Sequence, residues 1–448
     1  MVPRFGFLLA LFMTMVATLA VAQSIPVVEG GPTYAAHLAF TSPDGRLAWL
    51  PAGDDRVQLL GDAGVQYAFP AWSPDGTRIA AIARSAAGAH AVVFDVTADP
   101  PTLETWWEVP RRNVIYLDWA HAGDALHLLV SDQATGFTFR RATQDDATII
   151  ERGSPLFWDE RADGTLIVHS GGLGRARLTL RDGEGTELAD LGTPGAFRSP
   201  AASSTGDWWA FGALEAGGVF RLVVEQSEQA QPASSLTGPE RRALQHAGLT
   251  AFAWHPTRDL LALNRPVVQA PHSFGPLGGL DAETGLYETW TEETVVAFWW
   301  SPDGSRIGML ASAGSGNGQV ASLMQRPTLA STTPLAVMPD AVDAPPGPTQ
   351  PESTQGALTV RFGTVEPNDG TITWVGTVRP GTVFSREYLP YFDQYARSHE
   401  IWSPDGASLA LNVLDEEGRD VIGILDVDAG TIRHLAPGTM PAWSPTAN

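Results

Sequence analysis

Eight copies of a short turn phrase, each followed by an apolar run, predict an all-β chain: a β-propeller of four-stranded antiparallel blades. Two further observations point the same way. Most copies recur at roughly forty-residue intervals, the period of repeat architectures. The sequence also closes on Pro441-Ala442-Trp443-Ser444-Pro445, a bare first strand with no blade after it. Such a fragment is what ring closure by a C-terminal strand requires. The count of phrases gives eight blades, with seven as the alternative because the first copy is short.

The phrase is Trp-Ser-Pro-Asp-Gly. It stands at Trp72–Gly76 before Arg78-Ile79-Ala80-Ala81-Ile82, at Trp300–Gly304 before Arg306-Ile307-Gly308-Met309-Leu310, and at Trp402–Gly406 before Ser408-Leu409-Ala410-Leu411. Ser42-Pro43-Asp44-Gly45 is a fourth copy without the tryptophan. Degenerate copies begin at Trp119, Trp158, Ser204 and Trp254. Each reads as a hairpin: proline fixes φ, aspartate bonds back to the turn, and glycine accepts positive φ. Third and fourth strands follow in several copies, as in Val421–Asp426 and Thr431–Leu435. Four short strands per repeat, stacked radially, remove exposed sheet edges.

These phrases resemble the TolB-like β-propeller repeat, which is related to WD-repeat propellers and is also found in the propeller domains of prolyl-oligopeptidase-type peptidases. The resemblance covers nearly the whole chain after the N-terminal segment. It implies a fold and no particular activity. In that family the Ser-Pro-Asp-Gly residues are turn formers, so they are expected to be scaffold here. The peptidase relatives add a hydrolase domain for which this chain has no room.

Residues 1–22 read as an export signal. Arg4 supplies a positive charge, Phe5 to Val21 is an apolar run, and Ala20-Val21-Ala22 is a small-x-small site, with cleavage expected before Gln23. A retained anchor is the alternative, because about 17 apolar residues lie near the lower limit for a span. The sequence has no cysteine. That excludes lipidation, disulfides, thiolate ligands and cysteine nucleophiles together. The propeller is assigned to 23–448, and the location to the periplasm, cell surface or exterior.

Formal net charge is −22, and all 28 basic residues are arginine, in scattered positions. Such a surface repels phosphate backbones, so nucleic-acid partners are not expected. Ten histidines are present, none in a His-x-His or His-Glu-x-x-His pattern. Asp426-Val427-Asp428 lacks the further oxygens of a calcium loop, and no Gly-x-Ser-x-Gly elbow occurs. No catalytic residue, metal site or cofactor is therefore assigned.

Two segments break the period. Residues 311–356 form a Pro-, Ser-, Thr-, Ala- and Gly-rich insertion within the seventh blade, with the composition of a loosely extended loop. Residues 385–399, before the last blade, hold Tyr388, Tyr391, Phe392, Tyr395 and His399. Pro390 could start a short helix there, with Tyr391 and Tyr395 on one face. These five are the candidate partner-binding residues, since aromatic side chains offer large contact area at low entropic cost. The opposing expectation is that the helix caps the propeller with its rings packed inward.

The expected function is an exported, non-catalytic, monomeric propeller that binds or scaffolds a protein or envelope component, for instance beside a membrane transporter. The alternative is a glycan- or peptide-directed hydrolase or lyase with its site in the central channel.

Overall fold

A computed structural model describes residues 23–30, 34–86, 88–109, 112–132, 136–171, 176–227, 241–266, 274–313 and 359–447. The expected signal segment and all but the first residues of the expected insertion lie outside these.

The chain is built of antiparallel sheets formed from consecutive strands. Strands β1 (Ala36–Thr41), β2 (Leu47–Leu50) and β3 (Gln58–Leu60) begin the first. Four-stranded sheets follow from β4 (Gln66–Trp72) to β7 (Thr102–Trp107), from β8 (Arg112–Trp119) to β11 (Ala147–Gly153), from β12 (Leu156–Glu160) to β15 (Glu187–Gly192), and from β16 (Ala201–Ala202) to β19 (Arg241–Gln245). The next sheet has seven strands, from β20 (Ala251–Trp254) to β26 (Thr371–Val378). Its pivot is β23 (Tyr287–Trp300), whose first half pairs with β22 (Gly275–Asp281) and whose second half pairs with β24 (Ile307–Ser312). One long strand thus ends one repeat and begins the next. The last sheet holds β27 (Ser408–Leu414), β28 (Asp420–Asp426) and β29 (Thr431–Pro437). The chain finishes in β30 (Thr439–Ala447), which pairs antiparallel with β1 and gives the first sheet its fourth strand.

The repeat phrase builds the same turn wherever it is complete. Ser73 donates its backbone N–H to Arg78 at 2.9 Å, Gly76 donates to Ser73 at 2.8 Å, and Ser73 Oγ donates to Asp75 Oδ1 at 2.6 Å. The same three bonds recur at Ser301 and Ser403, and at Ser42 with the backbone acceptor, Arg46, one residue nearer. Gly76 takes φ +72°, which explains glycine at that position.

The tryptophan of the phrase and the arginine that follows it join neighbouring repeats. Trp119 donates its indole N–H to the Ala71 carbonyl at 3.0 Å, Trp300 to Ala253 at 3.0 Å, and Trp402 to Trp299 at 3.1 Å. In each case the acceptor immediately precedes the tryptophan of the preceding copy. Arg78 lies 4.7 Å from the ring centroid of Trp119 in the next copy, and Arg306 lies 6.0 Å from that of Trp402. Cation–π contact and hydrogen bond together fix the stagger between units.

Candidate functional site

Two separate short stretches add to the free edge of β27 in the last sheet. Pro380 bridges Val413 and Trp402 bridges Leu409, so residues 379–381 and 401–402 line the same edge of β27. Residues 382–400 leave that edge and return to it. Departure occurs at Gly381, where a Cβ would lie 2.3 Å from Asn412 Oδ1 and 2.4 Å from Asp420 Oδ1. Those two side chains instead accept the first backbone N–H groups of the excursion, Asp420 from Thr382 at 2.7 Å and Asn412 from Phe384 at 3.4 Å. The excursion then runs through a π-helical turn (Phe384–Tyr388), a 3-10 turn (Leu389–Tyr391) and a four-residue α-helical turn, α1 (Phe392–Tyr395). Tyr391 therefore sits ahead of α1 and does not share a helix face with Tyr395, contrary to the sequence expectation.

The rings of the excursion pack inward. Tyr388, Phe392, Tyr395 and His399 are all buried, and Tyr391 alone of the five candidate residues keeps partial exposure. The five therefore do not form one exposed patch: burying these apolar faces is more favourable than leaving them in water. Tyr388 Oη accepts the indole N–H of Trp299 at 3.0 Å, and its ring stacks on Phe384 and Tyr395. Tyr395 stacks at 5.3 Å on Phe69 of β4 and meets Tyr116 of β8 edge-on at 5.3 Å. Phe392 packs edge-on against Phe298 of β23. Tyr391 remains at the margin, with the Arg198 guanidinium 5.2 Å from its ring centroid.

Two strands carry a left-handed residue at matching places. Phe69 and Met440 adopt φ +55° and +54°, the two non-glycine residues with positive φ among those described. They occupy matching places, Phe69-Pro70-Ala71-Trp72 in β4 and Met440-Pro441-Ala442-Trp443 in β30. At both the strand register slips. A left-handed residue before proline is strained, and here a bulge holds it.

Polar groups seat the other end of the segment. Gln394 exchanges bonds with Tyr116 and accepts from Ser199 Oγ at 3.0 Å. Arg397 donates to the carbonyls of Trp158 and Pro200 and lies 3.4 Å from Asp159. Around it burial pushes three carboxyls up, those of Asp118, Asp159 and Asp393, each partly offset by Arg397. Asp118 Oδ1 makes no hydrogen bond; His127 Nδ1 is 3.7 Å away, and desolvation holds that imidazole down at about 3. Desolvation likewise lowers His399 to about 3, while Ser398 Oγ lies 2.9 Å from its Nδ1. Glu400 is different: it keeps solvent exposure, yet the surrounding protein desolvates its carboxyl up to about 7. Chemically the arrangement offers three buried carboxyls around one arginine. No described residues form a group of three or more ligands that could hold a metal ion.

Sequence reasoning missed Phe69, Met440, Asp118, Asp159, Ser199, Asp393, Gln394 and Arg397. A signal for one of them was available: Phe69, like Tyr116, stands three residues before a repeat tryptophan. Both rings at that position pack on Tyr395 of the inserted segment.

No family model matches the chain, and no curated protein does. Among solved structures it is similar to a eukaryotic initiation factor, with 11% identity over 92% of this chain and 98% of that one, at a TM-score of 0.51. It is also similar to TolB from Acinetobacter baumannii, with 14% identity over 82% of each chain and a TM-score of 0.35. An oligogalacturonate lyase in complex with manganese shares 10% identity over 94% of this chain and 86% of its own, at a TM-score of 0.40. At these identities the likeness concerns the fold alone, a β-propeller of antiparallel sheets.

Proposed function

We propose that this chain is an exported propeller of eight four-stranded units, closed into a ring by β30, that binds or scaffolds a protein or cell-envelope component. The ring reading rests on the join itself: β30 pairs with β1, and Trp72 donates to Ala442 as its counterparts do at internal steps. Shared β23 supplies the outer strand of the sixth unit and the inner strand of the seventh. Export rests on the apolar run before Ala20-Val21-Ala22, and sequencing the N-terminus of secreted material tests it by finding Gln23 first.

The observation that carries the binding role is the seating of 382–400. The strands against which a channel substrate would lie are occupied by the chain's own aromatic side chains, so recognition is assigned to the outer faces. Tyr391 and Arg198 mark the margin of the segment, where a partner has access. The test uses the chain from Gln23 onward as bait against envelope and secreted fractions. A saturable protein partner is expected, weakened by Tyr391→Ala and by Arg198→Ala. Capture unchanged in both variants moves the interface elsewhere.

One observation favours an enzymatic reading instead. Glu400 is accessible, and desolvation by the surrounding protein raises its carboxyl to about 7, the range a general acid uses. Turnover of glycan or peptide substrates that is lost in Glu400→Gln, with no protein captured, would replace the binding role by this one.

A further inference from the structure

Residues 23–28 lie across the outer edges of two neighbouring sheets. Ser24 bridges Thr377 of β26, and Val27 bridges Ile432 of β29. Four backbone hydrogen bonds hold the segment, two to each sheet. Ile25 donates to Thr377 at 3.1 Å while Thr377 donates to Gln23 at 2.9 Å; Val28 donates to Ile432 at 2.9 Å while Ile432 donates to Pro26 at 2.9 Å. Both bridges are parallel, whereas the paired strands of the sheets are antiparallel, so this addition stands outside the repeat.

The seat is shaped for its occupant. Ile25 is 4% exposed and belongs to the main apolar core. It fills the space over Gly376, where a Cβ would lie 2.8 Å from Ile25 Cγ1 and 2.9 Å from the Gln23 carbonyl. Pro26 stands where the segment passes from one sheet to the next, and it brings a carbonyl with no N–H to leave unpaired. By contrast Val27 and Val28 are 54% and 40% exposed. Recognition is therefore concentrated in the backbone ladder and one aliphatic side chain.

We propose that the edges of β26 and β29 form a strand-acceptor site for an extended peptide with an aliphatic residue followed by proline, and that residues 23–28 are its resident occupant. Strand addition of this kind takes affinity from main-chain bonds and specificity from the side-chain seat. The site is separate from the central segment and does not depend on the role assigned to it.

The test uses the full chain from Gln23 and a labelled peptide copying residues 23–30, followed by fluorescence anisotropy. The unmodified chain should show no saturable binding, because the seat is filled. Ile25→Asp in the chain should free the seat and give saturable binding, at least about tenfold tighter for the natural peptide than for one carrying Ile25→Asp. Adding Gly376→Val to that chain should abolish it. A chain with Ile25→Asp that folds by circular dichroism but binds no peptide overturns the proposal, as does equal binding by the unmodified chain. If Ile25→Asp prevents folding, Ile25→Ala takes its place and is read in the same way.

Discussion

Trp72 donates its indole N–H to the carbonyl of Ala442 at 3.0 Å, joining residues 370 positions apart. The bond has the same donor and the same acceptor position as Trp119 to Ala71. Each substitution to phenylalanine leaves a carbonyl without its donor and should cost about 1–3 kcal/mol. Thermal or urea denaturation of Trp72→Phe and Trp119→Phe should therefore give losses within about 0.5 kcal/mol of each other. A markedly smaller loss for Trp72→Phe would mean that the two ends of the chain are not joined as the internal sheets are.

Tyr388→Phe removes the acceptor of the Trp299 indole and leaves that N–H buried. A loss of about 1–3 kcal/mol is expected with the fold retained. Tyr391→Ala at the partly exposed margin should cost less than 1 kcal/mol, as surface changes generally do. Equal losses would contradict the inward packing of the segment.

Arg397 is the cation shared by Asp118, Asp159 and Asp393. Replacing it with methionine leaves buried carboxyls without their partner and should cost about 3–5 kcal/mol. Asp159→Asn in the same chain should recover part of that loss, since a neutral amide needs no counter-ion. The double-mutant cycle, measured by denaturant melts, checks the coupling; simple additivity would deny it.

Glu400→Gln makes a pH prediction. The folded carboxyl is raised to about 7 by desolvation, above the ordinary value of 4.5. Its contribution to stability is complete below the unfolded value and is lost as pH rises through 7. Glutamine mimics the protonated form at every pH. The variant should accordingly gain Tm relative to the natural protein between pH 5 and 8, and track it at pH 4. His127 and His399, both lowered, act in the opposite direction but are common to the two proteins. A pH-independent difference would place the carboxylate in open solvent.

The fold was legible because its signal is local and repeated. Ser73, Pro74, Asp75 and Gly76 dictate a turn among themselves, and the bonds expected within it are present. The aromatic run near Tyr391 was legible as a departure from the period, but its direction was not. Burial of Tyr388 and Tyr395 depends on Trp299, Phe69 and Tyr116, residues far away in the sequence. Arg397 gave no local cue, because its acceptors are the backbone carbonyls of Trp158 and Pro200. Phe69 and Met440 each precede proline, which argues for extended backbone and hid their positive φ.

Tandem-repeat arrays ordinarily couple only adjacent members, so they can unravel from one end. Residues 382–400 change that arithmetic. They touch Phe69, Tyr116, Trp158, Ser199, β20 and Trp299 in turn, and Trp443 donates to the Glu400 carbonyl. A hub contacted by so many spokes cannot settle until those spokes exist, and none of them loosens without disturbing it. The molecule should melt as one unit, with no frayed partial states, however modular its sequence looks.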